Sequence, residues 1–255
     1  MSLFDISKKN VVITGANGHL GRVLVEGLLE SGARVLALCR HDENLISIKK
    51  RFNSQIKIDL VDCRNEADLK ESFKRFYLEF GGIDGLVNNI YWGERRPQIF
   101  QESEKILGTF DATFVSYWKA LRSVLPYLNP DGSSVVNNGS LWGIVSPDPN
   151  NYLDLENEPS ISIVASKAAV HQFTKYTAVL LSNKKIRVNT IVPGLFPQKR
   201  GVERLDYIEA LSKKIPLARI GQPREIVGPV LFLLSNASSY MTGQELIIDG
   251  GYTLV

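Results

Sequence analysis

A short apolar run, Val11-Val12-Ile13, opens directly into Thr14-Gly15-Ala16-Asn17-Gly18-His19-Leu20-Gly21, and an amphipathic pattern then continues to about Glu30. A buried strand, a glycine-punctuated turn and a helix in that order leave few options for the chain. Glycines at such a junction let the backbone turn tightly, and the helix that starts there aims free N–H groups and its positive dipole end at whatever lies beyond the strand. A second apolar strand over residues 34–39 completes a βαβ unit. His19 is expected to point into solvent from the first helical turn.

The same alternation runs through the chain. Further strands are predicted at 55–58, 83–87, 134–138, 186–191 and 245–248, with helices between them. Strands this apolar, joined by helical crossovers, predict an α/β fold with a doubly wound parallel sheet and helices on both faces. No linker, repeat or low-complexity run divides the sequence, so residues 1–255 are expected to form one domain. A hydrophobic content of 44% supplies a sizeable core. No apolar leader or bilayer-length run is present, and Cys39 and Cys63 show no metal or redox spacing. A cytoplasmic protein with free thiols is expected, with no membrane partner. The formal charge of +3 comes from dispersed pairs such as Lys8-Lys9, Lys49-Lys50 and Lys184-Lys185, which read as solvated faces and argue against nucleic acid. His19, His41 and His171 are scattered and suggest no metal site.

Ligands of such a sheet belong beyond the carboxyl ends of its strands. The second strand ends Leu38-Cys39-Arg40. With a neutral residue where a carboxylate would accept from a ribose 2′-hydroxyl, and arginine next, a 2′-phosphate is favoured there, so NADP(H) is expected over NAD(H).

Motifs along almost the whole chain resemble the short-chain dehydrogenase/reductase family. They include the glycine turn, Asp59-Leu60, Asn88-Asn89, Asn137-Asn138-Gly139-Ser140, Ser166-Lys167, Pro193-Gly194, and the stretch from Ser238-Ser239-Tyr240-Met241-Thr242-Gly243 to Asp249-Gly250-Gly251. The likeness is to the branch with β-ketoacyl carrier-protein reductases and sugar and polyol dehydrogenases, and it implies a Rossmann-like fold. It implies cofactor contacts at Gly15, Asn17, Gly18, Leu20, Gly21, Arg40, Asp59, Leu60, Asn88, Lys167, Pro193, Gly194 and Phe196. It also implies a small-molecule substrate and a homotetramer or dimer, with helices over 113–128 and 162–182 packing between subunits.

At the catalytic positions the resemblance breaks down. The family uses an Asn-Ser-Tyr-Lys set, and the matching positions here read Thr113, Ser140, Ile163 and Lys167. Isoleucine cannot transfer a proton. Between Ser140 and Ile163 lie 22 residues, more than the family usually places there, and the added segment 147–156 is polar and acidic. Such loops carry specificity. Tyr152 within it is the candidate substitute proton donor, and Tyr91, Trp92 and Trp142 are candidate pocket walls. Two readings follow: an oxidoreductase acting on a hydroxyl or carbonyl of a small polar, sugar-like substrate through Ser140, Lys167 and Tyr152, or a nucleotide-binding homologue without turnover that serves as a sensor or hetero-oligomer partner.

Overall fold

Strands that are apolar on both faces must be covered on both faces, and the seven strands here run parallel between two helical layers. The computed structural model describes residues 2–92, 102–148, 160–198 and 205–255. The strands are β1 (Asn10–Thr14), β2 (Arg34–Cys39), β3 (Ile56–Leu60), β4 (Gly85–Asn88), β5 (Ser133–Asn138), β6 (Ile186–Pro193) and β7 (Glu245–Ile248). They form one sheet in the order β3-β2-β1-β4-β5-β6-β7, every pair parallel. The chain therefore winds outward from β1 to β3, returns beside β1, and winds the other way. The reversal between β1 and β4 opens a crevice at their carboxyl ends, where such sheets bind ligands.

The helices are α1 (His19–Glu30), α2 (Ile46–Arg51), α3 (Glu66–Phe80), α4 (Ser103–Phe110), α5 (Ser116–Val124), α6 (Ile161–Leu181), α7 (Leu205–Ser212) and α8 (Val227–Leu234). One core packs Leu24, Val25 and Leu28 of α1 and Val230 and Leu233 of α8 on Val11, Ile13, Val35 and Val136. On the other face, Leu69 and Phe73 of α3, Ala120 and Val124 of α5, and Ala178 of α6 meet Val12, Leu36, Leu86 and Val188. Period-2 alternation sorts each strand's side chains between the two cores. Among the described residues no helix is long and apolar enough to cross a membrane.

The expected elements form, with displaced ends. Ile83 lies outside β4 because its backbone N–H bonds to Tyr127 O and its carbonyl accepts from Asn129 N, pairing it with the approach to β5. The helix expected over 113–128 forms but changes its hydrogen-bond pattern along the way: a π-helical turn Asp111–Val115, then α5, then a 3₁₀ turn Leu125–Tyr127, with helical backbone at each junction. Ser116 Oγ donates to the carbonyls of Ala112 and Thr113, competing with the backbone ladder, and Pro126 lacks the N–H a continuing helix needs. The helix expected over 162–182 matches α6 to within one residue.

Side-chain amides and hydroxyls tie the sheet to α6. Asn88 Nδ2 donates to Asn137 Oδ1 at 2.9 Å, Asn137 Nδ2 to Thr174 Oγ1 at 2.9 Å, and the Thr190 and Thr174 hydroxyls lie 2.7 Å apart. All four residues are fully buried. Thr174→Val keeps the shape, removes the hydroxyl and strands the Asn137 amide, so we expect a loss of about 1–3 kcal/mol in urea unfolding with an unchanged m-value. A loss below about 0.3 kcal/mol would mean that the network does not hold α6 to the sheet.

Candidate active site

The β1–α1 turn is shaped by what its glycines permit. Gly15 adopts φ +66°, and a Cβ on Gly21 would lie 2.1 Å from Gly15 O, so the turn closes on the helix only without side chains there. Helix α1 follows the extended cap residue Gly18, with no side-chain cap and no acidic residue in its first turn. Its leading N–H groups thus face the crevice, an arrangement suited to a pyrophosphate. Asn89 holds the turn from below, its N–H donating to Thr14 Oγ1 (3.1 Å) and its Nδ2 to Gly15 O (3.2 Å). Asn138 Nδ2 in turn donates to Asn89 Oδ1 at 2.8 Å. Asn17 reaches across to the loop after β2, accepting from Asn44 N at 2.9 Å and from Asn44 Nδ2 at 3.1 Å. His19 is not solvent-facing as expected: it is half-buried against the backbone of Phe196 and Pro197, because the loop after β6 comes down over the start of α1. Burial pushes its imidazole pKa down.

Of the residues expected to line a dinucleotide, Leu20 and Gly21 lie in the first turn of α1 and Lys167 on α6, and the others lie at or just past the carboxyl ends of the strands. Arg40 is exposed at the end of β2 beside buried Cys39. Burial raises the Cys39 thiol pKa to about 11, and that of Cys63 to about 12. At the end of β3, Leu60 is exposed and Asp59 is paired with Arg75 at 2.7 Å. Asn88 is buried, bonded to Asn137, and its Oδ1 has no partner; Asn138 Oδ1 is likewise orphaned. A buried acceptor without a donor calls for a ligand or water, so both fit a polar group seated in the crevice. At the end of β6 the backbone passes so near β7 that a Cβ on Gly194 would fall 2.5 Å from Asp249 Cα. The Phe196 ring occupies the space a Gly221 Cβ would fill. The residues present therefore fit a dinucleotide laid from β3 to β6. Among the described residues no group of three or more His, Cys, Asp or Glu could hold a metal.

The catalytic candidates meet at the end of β5. Ile163 and Lys167, one turn apart on α6, are both buried. Lys167 Nζ donates to Asn138 O at 2.6 Å and lies 5.5 Å from the Tyr117 ring centroid. Burial depresses its pKa to about 7. The Tyr117 phenol donates to Ile90 O (3.0 Å) and Asn138 O (3.2 Å), and burial raises its pKa. Ser140 follows as the cap of a 3₁₀ turn, its Oγ accepting from Trp142 N at 3.2 Å. Thr113 is buried in the π-helical turn and donates to Trp92 O at 3.3 Å. Trp142 meets Tyr252 edge-on at 5.8 Å. Tyr91 and Trp92 are exposed at the rim. Tyr152 lies outside the described residues, and of the added segment Asp148 pairs with Lys214 at 3.6 Å.

Tyr117 and His171 escaped the sequence reading as contributors to the site, and Asn89 and Asn138 entered it only as members of motifs, with no role of their own. Tyr117 and His171 each stand four residues beyond a singled-out position, Thr113 and Lys167, and that helical spacing was the available signal.

Fold and site together define a dinucleotide-binding protein of the doubly wound class with a buried lysine under the crevice. The chain belongs to the short-chain dehydrogenase/reductase family, whose members are NAD(P)-dependent oxidoreductases: residues 15–253 match the family described as enoyl-(acyl carrier protein) reductase. A 3-oxoacyl-[acyl-carrier-protein] reductase of Thermotoga maritima is 31% identical over 96% of this chain and 98% of its own length. A short-chain dehydrogenase from Leptospira borgpetersenii with bound NAD+ superposes with a TM-score of 0.87 at 28% identity, covering 98% of this chain and 94% of that one. A Pseudomonas aeruginosa NADP active-site complex also gives 0.87, at 26% identity and 99% coverage of both chains.

The lysine's burial has a measurable sign. A folded-state pKa near 7, below the ordinary 10.5, means the unfolded chain binds more protons between those values, so wild-type stability falls as pH drops through that window. Lys167→Met removes this term. The variant is expected to melt higher than wild type at pH 7, with the gap narrowing by pH 9, while losing nucleotide affinity. A gap that does not change with pH would contradict the burial of a neutral amine.

Proposed function

We propose that the protein is an NADP(H)-dependent oxidoreductase that acts on a hydroxyl or carbonyl of a small polar, sugar-like substrate through an atypical active site. The observation that carries this reading is the buried Lys167 amine, held on Asn138 O at the end of β5 beside the hydroxyl-bearing Ser140 turn. The uncapped start of α1 would hold the pyrophosphate, Arg40 the 2′-phosphate, and Asp59 and Leu60 would flank the adenine. Lys167 would bind the nicotinamide ribose, with Pro193, Gly194 and Phe196 over the ring. When bound, the nicotinamide supplies or accepts the hydride. The Ser140 hydroxyl spends a lone pair, not its proton, on Trp142 N, which suits it to orient a substrate oxygen. Cytoplasmic residence is supported by two buried free thiols. A homotetramer or dimer is supported by Trp118 of α5 and Tyr176, Val179 and Leu180 of α6, all exposed.

Ile163 favours a second reading, a nucleotide-binding protein without turnover. The hydroxyl beside it, Ser162, is committed to Thr109 (3.3 Å) and Ser160 (2.9 Å). An absent general acid costs about 10²- to 10⁴-fold, or about 3–5 kcal/mol of barrier.

Two experiments test the proposal. Calorimetry is expected to give tighter binding of NADPH than NADH, with Arg40→Ala weakening NADPH about tenfold, the loss of one charge-assisted contact, and leaving NADH unchanged. Equal affinities would point away from a 2′-phosphate at Arg40. Ile163→Tyr is expected to raise NADPH-dependent reduction of an activated diketone, followed at the nicotinamide absorbance, whereas Tyr152→Phe abolishes native turnover without touching affinity. No gain in the first and no loss in the second, with NADPH still bound, would leave the non-catalytic reading standing.

A further inference from the structure

Ile163, Lys167 and His171 succeed one another at four-residue spacing on α6 and so share one face. His171 is buried. Its Nε2 accepts the backbone N–H of Ser140 at 3.3 Å, and its Nδ1 lies 3.3 Å from Oε2 of Glu245, the first residue of β7. The other oxygen of Glu245 is 2.8 Å from Lys175 Nζ, one turn further along α6. The backbone that carries Ser140 is moulded to the ring: a Cβ on Gly139 would sit 2.4 Å from Nε2, and one on Gly143 2.9 Å from it. An Nε2 that accepts must be bare, which puts the ring proton on Nδ1, where the Glu245 carboxylate receives it.

We propose that His171 is a positioning residue for Ser140: Glu245, steadied by Lys175, fixes the Nδ1–H tautomer, and the bare Nε2 then holds the Ser140 backbone so that its hydroxyl keeps one direction. This rests on the role given to Ser140 above, but the geometry can be tested without turnover. Protonation would place a second N–H against that of Ser140 and release the turn. Burial is the main force keeping the ring neutral, and the charges of Lys167 and Lys175 on α6 act the same way, while Glu245 from β7 opposes them; residues 139–143 bring no titratable group. Burial alone would raise the Glu245 carboxyl pKa, but its bonds to Lys175 and His171 bring it below the ordinary range.

Nitrogen-15 spectra of the imidazole in the full-length protein at pH 7.5 are expected to show Nδ1 protonated and Nε2 bare. On acidification the Ser140 amide resonance is expected to shift together with the ring below the ordinary histidine pKa of 6.5, and in Glu245→Gln the midpoint moves lower still. In His171→Leu, hydrogen exchange at the Ser140 amide is expected to rise about five- to tenfold, the loss of one ordinary hydrogen bond. His171→Gln, whose carbonyl can accept the same N–H, restores protection. NADPH affinity stays within about twofold throughout, since no cofactor contact is touched. Where the diketone is turned over, kcat falls in His171→Leu and recovers in His171→Gln with the NADPH KM unchanged. A protonated Nε2 at pH 7.5, or equal Ser140 protection in wild type and His171→Leu, would overturn the proposal. Absence of turnover in every variant with the spectra as expected would instead sink the oxidoreductase reading and leave the positioning role intact.

Discussion

One backbone oxygen, that of Asn138, organises the site. The β4–β5 pairing ends at Asn88 and Asn137, so the next carbonyl along β5 is open to side chains from outside the sheet. Two arrive, the Tyr117 phenol from α5 and the Lys167 amine from α6. Burying an amine is costly unless it finds an acceptor and some electrostatic relief. Asn138 O supplies the acceptor, the Tyr117 ring packs 5.5 Å from the amine, and burial shifts the amine toward its neutral form. Where the strand pairing stops thus decides where a lysine can be placed beneath the crevice.

The rest of the crevice is rigid because its polar groups are linked in series. Asn138 also reaches Asn89, which reaches the glycine turn, while Asn88 and Asn137 connect through Thr174 to α6 and β6. In a low-dielectric interior linked hydrogen bonds strengthen one another, and each member is costly to remove alone. The glycine turn and the buried lysine therefore share one framework. Within it the Asn88 and Asn138 side-chain oxygens are left without donors.

A buried catalytic face usually combines a proton carrier with groups that hold it, and here the carrier's expected place is apolar. Ile163 packs in the interior, while the polar groups around it on α6 are committed elsewhere: Ser162 to α4, Ser166 to the helix backbone, and Lys167 to β5. Between a modified reductase and a nucleotide-binding relative without turnover, the difference is the reach of a single hydroxyl.

The parallel α/β architecture, the glycine turn and the strand ends that border the crevice are legible in the amino-acid sequence. Those follow from periodicity and from backbone conformations that only glycine adopts easily, both local properties written into neighbouring residues. It also marked Ile163 and Lys167 as one face of one helix, since four-residue spacing is fixed by helical geometry. It did not reveal that 113–128 would change its helical hydrogen-bond pattern, that His19 would be covered by the loop after β6, or that Asn88 would serve as a tie between strands. Nor did it join Tyr117, Asn138 and Lys167, or Ser140, His171 and Glu245. Those sets draw on elements up to about a hundred residues apart in the chain, and only the order of the strands, the register at which each pairing stops and the depth to which each helix packs brought them within hydrogen-bonding distance.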